Sequence, residues 1–174
     1  MVNEKLERKL VDHLRDAHAM ERNVLETLDG MAATTSDEKL RAQLHDHSGE
    51  TERHVETIEV RLRAHGASPS GAKDAVALAG GTLSAAVLKI MARITGEDRA
   101  GPNARIGFVT EHMEIAAYEV LERIAVRAGD QDTADAARRN RAEEQAMADR
   151  IAASWDSVVD LMLAEEGLIT TASR

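Results

Sequence analysis

Apolar residues recur along this chain at the helical period in four long stretches. The first, over 3–30, sets Leu10, Leu14, Ala17, Leu25 and Leu28 on one face and meets its expected stop at Gly30. The second, over 37–65, follows Ser36, with Asp37 and Glu38 suited to a first turn. Its face is Leu40, Leu44, Thr51, Val55, Ile58 and Leu62, and it ends near Gly66. The third, over 103–128, presents Ile106, Val109, Met113, Ala117, Val120 and Ile124, and Gly129-Asp130 closes it. The fourth, over 132–165, presents Ala137, Ala148, Ile151, Trp155, Val158 and Met162. Between the second and third lie a Pro- and Gly-bearing loop at 67–71, an apolar segment over 72–94 that predicts a shorter helix, and a charged break ending at Gly101-Pro102.

The pattern predicts an all-α domain over 1–166, with a frayed tail over 167–174. Tight Gly-centred turns make each long pair an antiparallel hairpin, and the long crossover lets the second pair dock on the first, giving a four-helix bundle. Composition agrees. Aromatics are 2% and Pro only 2 residues, so little competes with helix, and 43% hydrophobic content suffices for a core. Cys is absent, which excludes disulfides, thiolate metal sites and cysteine nucleophiles. The net charge of −9, with Arg and Lys interleaved among acids, argues against nucleic acid as a partner. The apolar segment over 75–92 is interrupted by Gly80, Gly81 and Lys89 and reads as a buried helix, not a membrane span. The charged opening predicts no signal peptide, so a cytoplasmic location is expected.

Candidate chemistry sits where the apolar stripes contain acids. Glu21 lies within about 20° of both Leu14 and Leu28 on the helical wheel, and Glu144 lies equally close to Ala137 and Ile151. A carboxylate inside a core stripe is costly unless paired, protonated or metal-bound. His47, Glu50 and His54 share one flank of the second helix's face. On the third, Glu114 borders the apolar face and Glu111 lies further round, where periodicity supports it poorly. Carboxylate oxygen and imidazole nitrogen suit iron, manganese or zinc.

Plainer readings stand beside this one. Glu21 or Glu144 alone can be a residue paired with an arginine, with Arg141 one turn before Glu144. His45, His47 and His54 each lie in a very polar helix, and His112 points away from its apolar centre. Met20, Met113 and Met147 fit as core filler, and Trp155 as a core or interface anchor. The metal reading gains from coincidence: each long helix carries a Glu on or beside its apolar face near mid-length.

Several motifs resemble those of one family. Asp16-Ala17-His18-Ala19-Met20-Glu21, His47-Ser48-Gly49-Glu50-Thr51 and the run from Glu111 to Tyr118 (EHMEIAAY) resemble segments of the YciF-like, DUF892 group of ferritin-like stress proteins. Glu143-Glu144 and Gly66-Ala67-Ser68-Pro69 resemble further segments, so the likeness spans nearly the whole chain. It implies a ferritin-like antiparallel four-helix bundle with a long crossover containing a short fifth helix, similar to rubrerythrin and manganese catalase. It also implies a di-metal centre of iron or manganese, two ions per chain, on Glu21, His47, Glu50, Glu111, Glu114 and Glu144. Glu50 and Glu114 are the expected bridges. His54, Tyr118 and Glu143 are expected around them, Tyr118 as a hydrogen-bond donor behind the ligands. Two departures set this chain apart: Arg53 and Met147 stand where the second and fourth helices of such proteins carry a His.

Three functions follow as expectations. One is an oxidase- or peroxidase-like centre acting on oxygen or peroxide, fed by an external reductant because no Cys can hold a built-in electron-transfer centre. Another is a metal-free structural or stress-associated protein whose inward acids pair with Arg53, Arg123, Arg139 or Arg141. The third is a storage cage. The apolar crossover suggests a homodimer interface.

Overall fold

A computed structural model describes residues 2–35, 37–69 and 100–169, so the crossover helix expected over 72–94 and most of the tail lie outside the described residues. The described residues form α1 (Val2–Thr34), α2 (Glu38–Ala64), α3 (Ala100–Ala128), α4 (Gln131–Ala152) and α5 (Trp155–Glu165), with no strand among them. None of these helices is long and apolar enough to cross a membrane.

The helix ends follow from local chemistry. α1 does not stop at Gly30. Met31 and Ala32 are buried just beyond it, and this burial outweighs the weak helix preference of glycine. The helix finishes where the Thr34 hydroxyl returns to the Gly30 carbonyl at 2.9 Å and that of Thr35 to Met31 at 2.7 Å. Asp37 is the N-cap of α2, its carboxylate accepting from the Leu40 N–H at 2.8 Å. At the other end of α2, Gly66 takes φ +64°. The Gly66 N–H then reaches Arg63 and the Ala67 N–H reaches Leu62, satisfying two final carbonyls. Gly129, at φ +77°, repeats this device after α3. The next residue, Asp130, caps α4 through the Thr133 N–H. That two-residue turn forces α3 and α4 antiparallel.

Two boundaries differ from expectation. α3 begins at Ala100, not Asn103, with Gly101 and Pro102 in its first turn, where a missing N–H costs nothing. The fourth long helix is two: it breaks at Ala153–Ser154, where the Ser154 hydroxyl bonds back to the Ile151 carbonyl. α5 then folds onto α3, with Met162 against Gly101 and Trp155 edge-on to Phe108 at 5.8 Å.

α1 packs on α2 and α3, and α4 packs on α3 and α2, which closes a four-helix square. One end is an apolar core of Leu10, Leu14, Ile58, Leu62, Leu121 and Ala125. The inward face of α3 is Ile106, Thr110, Glu111, Glu114, Tyr118, Leu121 and Ala125. The expected face is therefore rotated: Val109 and Val120 are 44% and 46% exposed. Polar side chains occupy the middle of the bundle, so an apolar stripe is a poor guide to the inside there.

Candidate metal centre

At mid-bundle the four helices turn six polar side chains inward. α1 contributes Glu21, α2 His47 and His54, α3 Glu111 and Glu114, and α4 Glu144, all buried. Helical spacing explains the assembly. His47 and His54 are two turns apart and share a face, and Glu111 and Glu114 are one turn apart.

The side chains form two groups, Glu21–His54–Glu144 and His47–Glu111–Glu144, each with ligand atoms within 4.8 Å of one another. His54 Nδ1 lies 2.7 Å from Glu144 Oε1 and 3.6 Å from Glu21 Oε1. His47 Nε2 lies 3.2 Å from Glu111 Oε1 and 3.7 Å from Glu144 Oε2. Glu144 thus belongs to both groups through its two oxygens. Those imidazole nitrogens, both oxygens of Glu114 and of Glu144, and one oxygen each of Glu21 and Glu111 are buried without a hydrogen-bond partner. Such a convergence of unmatched donor atoms is expensive unless something else satisfies them. The oxygen and nitrogen donor set fits divalent iron or manganese.

The opposite nitrogen of each histidine is held from behind. His47 Nδ1 meets Glu50 Oε2 at 3.0 Å, and His54 Nε2 meets Glu143 Oε2 at 2.9 Å. A carboxylate in that position fixes the ring's orientation and tautomer and raises its basicity as a ligand. Glu50, expected as a bridge, therefore stands outside both groups. Its carboxylate leans outward, 3.4 Å from Arg150 Nη2. His54, expected at the margin, is central. Tyr118 donates to Glu21, accepts from Asn140 Nδ2 at 3.0 Å, and stands edge-on to His54. Asn140 escaped the sequence reading, since an amide in a polar helix gives no periodic signal.

Electrostatics follow burial. Burial raises Glu21, with His54 opposing and Glu144 adding to the rise. Burial and then the charges of Glu21, Glu144 and Glu111 push Glu114 well above the carboxylate range. Burial brings Glu111 up to about 7 against the pull of His47. Burial alone would depress the histidines. The carboxylates outweigh it and lift His47 to about 9, chiefly through Glu111, and His54 to about 10, chiefly through Glu144 and Glu21. Burial, reinforced by Glu21, raises Tyr118 well above its ordinary value. The cluster thus holds protons that a pair of divalent cations would replace.

The arginines considered as partners of the inward acids go elsewhere. Arg141 pairs with Glu119 and Glu122, Arg123 with Glu119, and Arg53 with the Gly49 carbonyl, while Arg139 is exposed. His45 is exposed, and so is His112, which bonds the Phe108 carbonyl at 2.8 Å.

An all-α bundle with carboxylates and imidazoles turned into its middle is the architecture of the ferritin-like class. Residues 5–164 match the family described as Domain of unknown function (DUF892), and the chain belongs to that family. Solved structures share its fold. A protein of Xanthomonas campestris pathovar campestris is 24% identical over 94% of this chain and 99% of its own, with a TM-score of 0.77. The Escherichia coli stress protein YciF is 24% identical over 90% of this chain and 96% of its own, with a TM-score of 0.72. A dodecameric thioferritin from Bacteroides fragilis, described as bacterioferritin-related, is 16% identical over 94% of this chain and 92% of its own, with a TM-score of 0.71.

Proposed function

We propose that this protein carries a di-metal centre of iron or manganese and uses it in oxidase- or peroxidase-like chemistry during stress. The observation that carries this reading is the set of buried, hydrogen-bond-deficient oxygens and nitrogens converging from four helices. His54 and Glu21 would hold one ion, and His47 and Glu111 the other. Glu144, which belongs to both groups, would serve both, and Glu114, with both oxygens unsatisfied, would add a further carboxylate. Such a metal pair supplies one-electron steps toward oxygen or peroxide. The protein's part is to fix the ligands. Glu50 and Glu143 orient the two imidazoles, Tyr118 holds Glu21 in place, and the apolar core at one end keeps bulk water away. With no Cys in the chain, reducing equivalents would come from an external donor.

A second reading rests on the same residues. Charged His47 and His54, surrounded by carboxylates, would neutralise part of the cluster without metal and leave a structural bundle. Elemental analysis after anaerobic loading with iron or manganese separates the two. The di-metal reading expects about two ions per chain, and fewer in Glu21→Ala and Glu144→Ala. A wild-type protein that stays empty after loading, with stability indifferent to chelators, rejects it in favour of the structural reading.

A further inference from the structure

Opposite the apolar core, the described residues leave a space between the helices. A cavity of about 80 Å³ lies where α1, α2, α3, α4 and α5 meet, walled mainly by Leu28, Met31, Leu44, Ile151 and Val158, with Gln43, Asn103 and Ser154 as minor polar lining. Its wall includes Glu111, a member of the second ligand group and the only carboxylate among the described residues that line it. Arg150, about half exposed, stands at its rim. Gly107 lines it within the α3 helix, where a glycine is less favourable than alanine. A methyl group there would sit 3.2 Å from Ile151 Cδ1 and begin to close the space.

The chemistry of this space selects its occupant. Apolar cavities stay dry and accept apolar molecules, and a small polar molecule entering one forfeits its hydrogen bonds. Hydrogen peroxide gains little from the Leu, Met and Ile side chains that make up much of the wall. A molecule with a compact alkyl group gains burial along the wall and can present a polar head to Glu111.

We propose that this cavity is the entry to the metal centre and that it selects organic hydroperoxides bearing a small alkyl group over hydrogen peroxide. The proposal rests on the di-metal reading and names its substrate class. In the reaction the O–O bond of the hydroperoxide breaks. A bound pair of divalent ions would supply the two electrons, one from each ion, and two protons would come from solvent. The products are the alcohol and water.

The test has a part that needs no metal. Metal-free protein is titrated with tert-butyl alcohol, the inert counterpart of tert-butyl hydroperoxide, and followed by backbone amide NMR. Saturable shifts are expected at Gly107, Glu111 and Ile151. Gly107→Leu, which fills the cavity, abolishes them. Ile151→Ala, which enlarges it, extends binding to cyclohexanol. In the iron-loaded protein, a single turnover with tert-butyl hydroperoxide should outpace hydrogen peroxide by about ten-fold, the scale of discrimination an apolar pocket provides. Gly107→Leu should remove that preference with iron content unchanged. A protein that loads iron yet shows no saturable alcohol shift, or that keeps its preference for tert-butyl hydroperoxide in Gly107→Leu, overturns this inference alone. A protein that takes up no metal overturns the di-metal reading, and the hydroperoxide assignment with it.

Discussion

Glu50 and Glu144 have the same side chain, and the bundle gives them different work. Glu144 is buried with both oxygens unsatisfied, whereas Glu50 keeps contact with solvent and with Arg150 and holds His47 from behind. Removing a ligand should lower the number of ions bound. Removing a carboxylate that only orients a histidine should weaken affinity about 10–100-fold and leave the number intact. Metal titration against a competing chelator is thus expected to show Glu50→Ala and Glu143→Ala binding weakly at full stoichiometry, and Glu144→Ala binding fewer ions. Complete loss in Glu50→Ala would return that residue to the ligand set. Glu21 and Glu144 were legible in the sequence because each interrupts an apolar stripe at its centre. His54 was legible only as a neighbour of His47 and Glu50 on one flank, because its neighbours on α2 are mostly polar and the buried strip there is narrow. The seven-residue spacing of His47 and His54 was the available signal, since two turns return a side chain to the same face.

The helices themselves were legible wherever apolar period and turn chemistry agree. They were misread where burial or side-chain chemistry overrides a local signal. Gly66 and Gly129 end helices because each takes a positive φ and frees two N–H groups for the last carbonyls. Gly30 carries the same residue type without that geometry. It is exposed within α1, and a methyl group there would meet nothing within 4 Å. The break after Ala152 has no Gly or Pro to announce it, only Ser154 bonding its own backbone. The α3 stripe misled for another reason: the residues that define the site displaced apolar side chains from the interior, as functional sites do. Two alanine substitutions test the glycine distinction. Gly30→Ala should stabilise the protein by about 0.5–1 kcal/mol, whereas Gly129→Ala should destabilise it by about 1–2 kcal/mol through the left-handed backbone. Urea unfolding measures both. Destabilisation by Gly30→Ala would mean that α1 is not continuous there.

At the scale of the whole molecule, the two hairpins are pinned together at the end away from the cavity. His65, closing α2, reaches Asp130 in the α3–α4 turn at 2.8 Å through Nε2 and Glu7 on α1 at 2.5 Å through Nδ1. Arg61 joins Asp130 at 2.9 Å and the Thr133 hydroxyl at 2.8 Å. Three separate parts of the chain thus meet at one imidazole, a juxtaposition that no local period reveals. Burial would lower the His65 pKa, but Glu7 and Asp130 outweigh it and raise it above 6.5. Burial works against ionised Asp130 as well, and there Thr133, His65 and Arg61 prevail and hold it at about 2. The signs then fix the profile. The His65 contribution is fully present below its unfolded value of 6.5 and is lost as pH rises through the higher folded value. The Asp130 contribution is present above its unfolded value of 3.8 and is lost as pH falls toward 2. The network should therefore stabilise most between about pH 4 and 6.5. Replacing His65 by Ala should cost about 1.5–3 kcal/mol in that window, the range for hydrogen bonds to charged groups. The cost should shrink steadily at alkaline pH, as read by urea unfolding of both proteins across the range. A wild-type-to-variant difference that stays constant from pH 5 to pH 10 would show that His65 acts by packing alone, and that the charge network does not hold the hairpins together.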